Sequence, residues 1–182
     1  MKLTFALALA VGLLGAGEVK ELDSQTIETY QSQYQTMAQE PGGVMFTPPA
    51  NWKMADPKVL TPHIKLMVIG EISGYYPPSI NLASDPFKGT LKEYLKGVKQ
   101  YNQSIGADWK DLGTLKTEAG EASLSQVDTP TKWGVERQMQ AIFLKDSTAW
   151  IVTCSALKAD FAKCYKIFFG AMKSLRINPE KD

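Results

Sequence analysis

Four strand-like segments follow one another over residues 109–117, 121–128, 133–145 and 149–155, and two of the breaks are the short turns Ala119-Gly120 and Asp146-Ser147. Connections this short cannot return a chain to the start of a parallel neighbour, which takes a dozen or more residues. The stretch is therefore expected to form an antiparallel meander. In its third segment Trp133, Val135, Met139, Ala141 and Phe143 share one phase. With a side-chain period of two, that phase marks a face that must be covered. Arg137 stands in the same phase. An inward arginine must be paired or must meet a ligand, whereas a strand edge or a bulge would shift the phase and release it.

Helical spacing supplies the cover. Leu91, Tyr94, Leu95, Val98 and Tyr101 form one stripe, and Thr90 with Glu93 reads as a capping box. The opposite face carries Lys92, Lys96, Lys99 and Gln100 and is expected to be solvated. A second stripe, Phe161, Tyr165, Phe168, Met172 and Leu175, predicts a helix over 158–175. Asp160 near its start and Lys173 and Arg176 near its end suit the helix dipole, and Asn178-Pro179 stops it. Upstream, residues 44–52 read as a short strand running into a proline turn anchored by Trp52, and 64–69 with 79–83 read as a hairpin. The order is strand, strand, strand, helix, four strands, helix: an α+β fold, an antiparallel β-sheet covered by helices.

The first residues are of another kind. Lys2 precedes an uncharged run of Leu, Ala and Val over 3–14, followed by Gly15-Ala16-Gly17 and the first acid, Glu18. This is the pattern of a secretory signal peptide over 1–17, too short to span a bilayer comfortably. The mature chain is then expected to have no transmembrane helix. Leu14-Gly15-Ala16-Gly17 is similar to a lipoprotein box, but that box needs a cysteine where Gly17 stands. A lipid anchor cannot be attached there, and either the mature protein is soluble or the cysteine has been replaced. Residues 18–43 read as an N-terminal helix or tether ending at Pro41-Gly42-Gly43, and 44–182 as a single domain. The expected location is the periplasm or cell envelope of a bacterium.

Charge narrows the partners. The 182 residues carry 20 basic and 19 acidic groups, and removing Lys2 with the leader leaves them balanced. A nucleic-acid binder normally shows a basic excess or stripe, so no nucleic acid is expected. Cys154 and Cys164 could form a disulfide in an oxidising compartment. However, one lies on a predicted strand and the other on the following helix. Packed layers sit about 10 Å apart, while a disulfide needs Cα atoms about 5.5 Å apart. Two buried thiols are the preferred reading.

The segment Phe46-Thr47-Pro48-Pro49-Ala50-Asn51-Trp52, the helix Leu91-Lys92-Glu93-Tyr94-Leu95, and the ending 156–177 with Phe161, Phe168 and Leu175-Arg176-Ile177 together resemble the PsbP-like superfamily. That superfamily includes the Mog Ran-release factors and DcrB-type bacterial proteins. The resemblance covers about residues 44–177 and rests more on element order than on any one motif. It implies an α-β-α sandwich and a non-enzymatic adaptor, and it transfers no functional residues.

Little else points to chemistry. His63, the lone histidine, precedes a strand, and Ser73 lacks the G-x-S-x-G context of a nucleophile elbow. There is no phosphate-binding or dinucleotide-binding glycine motif, and two cysteines with one histidine are too few for a typical zinc site. No catalytic residue, metal or cofactor is therefore expected. Asp108, Asp111, Glu118 and Glu121 read as solvated edges, and Asn102-Gln103-Ser104 matches a glycosylation sequon. Tyr75, Tyr76, Pro77 and Pro78 form an aromatic and proline connector that would make a stiff contact surface if exposed, or fold back on the sheet edge if not. The expected function is non-enzymatic binding of another envelope protein during assembly or secretion. The alternative is a carrier of a small hydrophobic or lipidic ligand held between sheet and helix.

Overall fold

A computed structural model describes residue 32 and residues 34–38, 40–71 and 76–179. The expected signal peptide, most of the tether, and Tyr75 lie outside the described residues. The elements are β1 (Val44–Met45), β2 (Lys53–Met54), β3 (Ile64–Ile69), β4 (Ser79–Pro86), α1 (Leu91–Ser104), β5 (Asp108–Thr117), β6 (Gly120–Thr131), β7 (Gly134–Lys145), β8 (Thr148–Leu157), α2 (Phe161–Lys173) and β9 (Arg176–Ile177). A 3-10 turn, Pro57–Val59, sits between β2 and β3.

The main sheet has the order β2-β3-β4-β8-β7-β6-β5, antiparallel throughout. The expected meander is its right half, and the β3–β4 hairpin joins it edge-on through β4 and β8. The turn between β7 and β8 places both Asp146 and Ser147 at positive φ, 50° and 55°. Two such residues in succession make the tight hairpin turn whose twist matches the strands.

One expectation needs correction. The strand at the start of the body does not enter the main sheet. It is reduced to β1, which pairs with β9 at Val44↔Ile177 and Met45↔Arg176. The predicted second helix correspondingly stops at Lys173, and the chain after it extends. Asn178 donates from Nδ2 to the Met37 and Glu40 carbonyls at 2.9 and 3.0 Å. This ties the helical residues 34–38 to the same corner, where Tyr34 and Met37 pack against the core.

Alternation divides the sheet into two faces. Ile80 and Leu82 of β4, Val152 and Cys154 of β8, and Met139 and Ala141 of β7 are buried together with Phe161, Phe168, Ala171 and Met172 of α2. Phe168 is fully buried, with its ring centroid 5.2 Å from Phe161 and 6.1 Å from Trp52. The opposite face is covered by α1 through a smaller cluster, in which Tyr94 and Val98 meet Ile142, Ala149 and Ile151. The Thr90–Glu93 capping box is present. The buried stripe of α1 is Tyr94, Val98 and Asn102, with Leu91, Leu95 and Tyr101 only partly covered. Burial of Asn102 removes the sequon from reach of any modifying enzyme in the folded protein.

Two stability measurements check this account. Truncation of Phe168→Ala is expected to cost about 3–5 kcal/mol in denaturant unfolding, because both aromatic neighbours lose their contact. The change Ser147→Gly is expected to stabilise by about 1 kcal/mol, because glycine accepts positive φ without a Cβ clash. A destabilising result would mean that the turn adopts another conformation.

Candidate binding cleft

The α2 side of the sheet is not filled to its end. Beyond Phe168, α2 and the strands β5 to β7 leave a cleft of about 620 Å³. Its floor is Leu124 and Gln126 of β6 with Arg137 and Met139 of β7, and its wall is Phe161, Ala162, Tyr165 and Phe169 of α2. Leu112 of β5 forms a lip. A register shift between Asp111 and Thr114 bulges this strand, with Gly113 at φ 87° and its N–H donating to the Asp111 side chain at 2.8 Å. The bulge leaves Leu112 45 % exposed at the mouth, opposite Tyr165 at 48 %. The Tyr165 and Phe169 rings lie 4.6 Å apart and give the wall a continuous aromatic surface.

The cleft has a charged end. Arg137 donates from Nε and Nη2 to the two carboxylate oxygens of Asp128 at 2.8 and 2.7 Å. The two residues are direct cross-strand partners. Lys158 reaches the same carboxylate at 3.1 Å, and Gln126 donates to it at 3.3 Å. Two cations thus share one buried acid at this end. The hydrogen bonds from Arg137 hold the Asp128 carboxyl below its ordinary range, against the opposing effect of burial, and Lys158 adds to the lowering. The Arg137 guanidinium also lies 5.8 Å from the Phe161 ring centroid. Arg137 is therefore inward and paired. It keeps the phase of Met139, Ala141 and Phe143 through an unbroken register with β6, so neither a bulge nor an edge released it.

The other residues singled out by sequence are scattered. Tyr76 is a correction: it is 5 % exposed, its hydroxyl lies 3.2 Å from Ser155 Oγ, and its ring packs 5.8 Å from Trp133. Burial, with the Glu136 carboxylate nearby, pushes its hydroxyl far above the usual tyrosine range. It is a core residue and offers no contact surface, while Pro77 and Pro78 are half-buried. Cys154 and Cys164 are both free. Cys154 is sealed in the sheet–helix layer with Sγ 3.9 Å from the Phe168 carbonyl, and burial raises both thiols. His63 is half-buried just before β3, and its carbonyl accepts from the Ser84 N–H. Among the described residues no three His, Cys, Asp or Glu side chains are grouped to hold a metal ion.

Sequence reasoning did not pick out Asp128, Lys158, Tyr165 or Phe169 as partners of Arg137. Asp128 was legible in principle, since it shares a phase with Leu124 and Gln126 and so faces the same way as Arg137. Lys158 and Phe169 carried no signal, because only the docking angle of α2 brings them to the cleft.

No protein-family model matches the chain, and no curated protein matches it either. Solved structures do. LpqN, described as involved in cell envelope biogenesis of Mycobacterium tuberculosis, aligns over 77 % of this chain and 87 % of its own with TM-score 0.55 and 10 % identity. A protein of unknown function from Pseudomonas aeruginosa, PA94, aligns over 75 % and 98 % with TM-score 0.54 and 14 % identity. The PsbP protein of Synechocystis sp. PCC 6803 aligns over 91 % and 99 % with TM-score 0.49 and 12 % identity. The likeness is one of fold. It agrees with the α+β sandwich that the sequence resemblance implied. Among the described residues no helix is long and apolar enough to cross a membrane.

The shared carboxylate yields a pH prediction. Because the folded value of Asp128 is depressed, its contribution to stability is full above the ordinary carboxylate range, near about pH 4, and drains as pH falls through the folded value. The variant Asp128→Asn is expected to lose about 1–3 kcal/mol at pH 7, leaving Arg137 without its acid. Denaturant midpoints of wild type and variant should converge as pH is lowered towards 2. A gap that stays constant would mean the carboxylate charge contributes nothing.

Proposed function

We propose that the chain is a non-enzymatic, exported binding protein of the cell envelope that holds a small hydrophobic or lipidic ligand in the cleft between α2 and the sheet. The observation that carries this reading is the cleft itself: an open, aromatic-walled space whose floor is apolar at Leu124 and Met139 and polar at Gln126 and Arg137. Its volume falls within the range of about 300–1,000 Å³ common to small-molecule sites. Apolar walls supply affinity and the few polar groups set orientation. A chain seated between Met139 and Phe169 would place its head near Arg137 and Lys158.

Export rests on the leader pattern over 1–17, and an envelope role is supported by the fold shared with LpqN. The absence of an enzymatic role rests on the lack of a nucleophile-and-base pattern in the sequence. The adaptor reading rests on the family resemblance, and burial of Tyr76 removes one residue of the contact surface considered for it.

The test uses the chain from Glu18 onward and cis-parinaric acid as a fluorescent probe. Saturable binding is expected, and Ala162→Trp, which fills the cleft from an exposed helix position, should weaken it at least tenfold while leaving the circular dichroism spectrum unchanged. Undiminished binding to a folded Ala162→Trp protein would move the ligand elsewhere. No saturable binding to wild type would end the carrier reading.

A further inference from the structure

The charge that lines the cleft is of one sign. Arg137 of β7 and Lys158, just past β8, belong to the lining, and among the described residues no aspartate or glutamate does. The acid the two cations share, Asp128, has a side chain only 7 % exposed and is not part of the lining. Neighbouring acids are already matched. Asp108, the direct cross-strand partner of Asp128, pairs with Lys110 at 3.2 Å, and Asp160, ahead of α2, pairs with Lys163 at 2.6 Å. Two cations against one acid leave one positive charge uncompensated at this end of the cleft.

The donors also stand close together. Asp128 takes Nε and Nη2 of Arg137, so Nη1 is not part of that fork. Arg137 Nη2 and Lys158 Nζ reach the same oxygen, Asp128 Oδ2, at 2.7 and 3.1 Å. The two cationic heads are therefore neighbours, near enough for the two oxygens of one further carboxylate to meet both. A hydrogen bond between ionised partners is roughly twice as strong as a neutral one. Apolar walls beside it exclude water and strengthen it further. A neutral head would gain none of this, and a cationic head would be repelled. A phosphate monoester carries about −1.5 to −2 at pH 7, more than the single charge that the site leaves open.

We propose that the cleft selects an amphiphile with a singly charged carboxylate head, such as a fatty acid, whose tail lies along Phe161, Tyr165 and Phe169 and whose head meets Arg137 and Lys158. The inference rests on the carrier reading above and adds the chemistry of the head. Asp128 then has two parts: it holds Arg137 in position, and it limits the positive charge that the head end presents.

Competition against a neutral fluorescent probe, N-phenyl-1-naphthylamine, tests this on the chain from Glu18 onward. The competitors are decanoate, decanol and decylamine, equal in chain length, at neutral pH. The readout is the ratio of the decanol to the decanoate dissociation constant, because a loss of packing weakens both ligands and leaves the ratio alone. In the wild type decanoate should bind about tenfold more tightly than decanol, or better, with decylamine weakest. Lys158→Gln removes a charge from a side chain that is 52 % exposed, so the ratio should fall by about threefold rather than collapse. Asp128→Asn should raise the ratio by about threefold, an inversion that damage to the fold would not produce. Should that variant not fold, Lys158→Gln decides alone. Displacement of the probe by decanol or decylamine as readily as by decanoate, or an unchanged ratio in Lys158→Gln, would overturn the head assignment and leave the carrier reading standing. Failure of the probe and of all three competitors to bind would instead remove the carrier reading beneath it.

Discussion

Burial of the inner face of β4, β8 and β7 under α2 is the contact on which the rest of the molecule depends. Antiparallel strands with one apolar face cannot stay in water, and a helix bearing Phe161, Phe168 and Met172 at one side is the partner that closes that face. Everything else is arranged around it. The short β1–β9 pair and the Asn178 bonds to Met37 and Glu40 fasten both ends of the described chain to the same corner. The cleft exists because α2 starts at Phe161 and the sheet continues past it to a bulged edge strand that does not close over the helix.

The charged end of the cleft follows from the same geometry. Near the rim of the sheet the inward phase of β7 reaches Arg137, where the core is no longer deep enough for an apolar residue to be required. Asp128 sits directly opposite on β6 and takes up the guanidinium fork in the bidentate geometry that a carboxylate favours. With Lys158 converging on the same acid, the polar groups gather at one end and the aromatic wall is left uninterrupted. This separation of apolar length from polar end makes a ligand-carrying role a coherent reading.

The two faces differ in polarity. The α2 layer is apolar and closed around Phe168. The α1 layer mixes a small apolar cluster with a row of serine, glutamine and asparagine side chains. A hydrogen-bonded chain runs from Gln140 through Gln138 to Glu136, which also accepts from Ser155.

Much of the fold was legible in the sequence because period-two and period-3.6 patterns report local geometry directly. The meander, the capping box at Thr90 and the stripe of α2 came from spacing alone, whereas spacing put Arg137 in the apolar phase without deciding between an inward side chain and an edge or bulge. Spacing left open whether the connector at Tyr76 is a contact surface or folds back on the sheet, since exposure depends on what folds against a loop, and Ser155 and Trp133, which bury Tyr76, are 79 and 57 residues away in the chain. The polar phase of Glu136, Gln138 and Gln140 is nonetheless buried in the folded sheet. What the sequence by itself determined was the set of elements, their antiparallel order and which side of each strand is apolar. Only the tertiary structure decided where α2 stops covering the sheet and which acid pairs with Arg137. The reason is physical: periodicity is a property of one segment, whereas a cleft or an ion pair across strands is a property of the gap between segments.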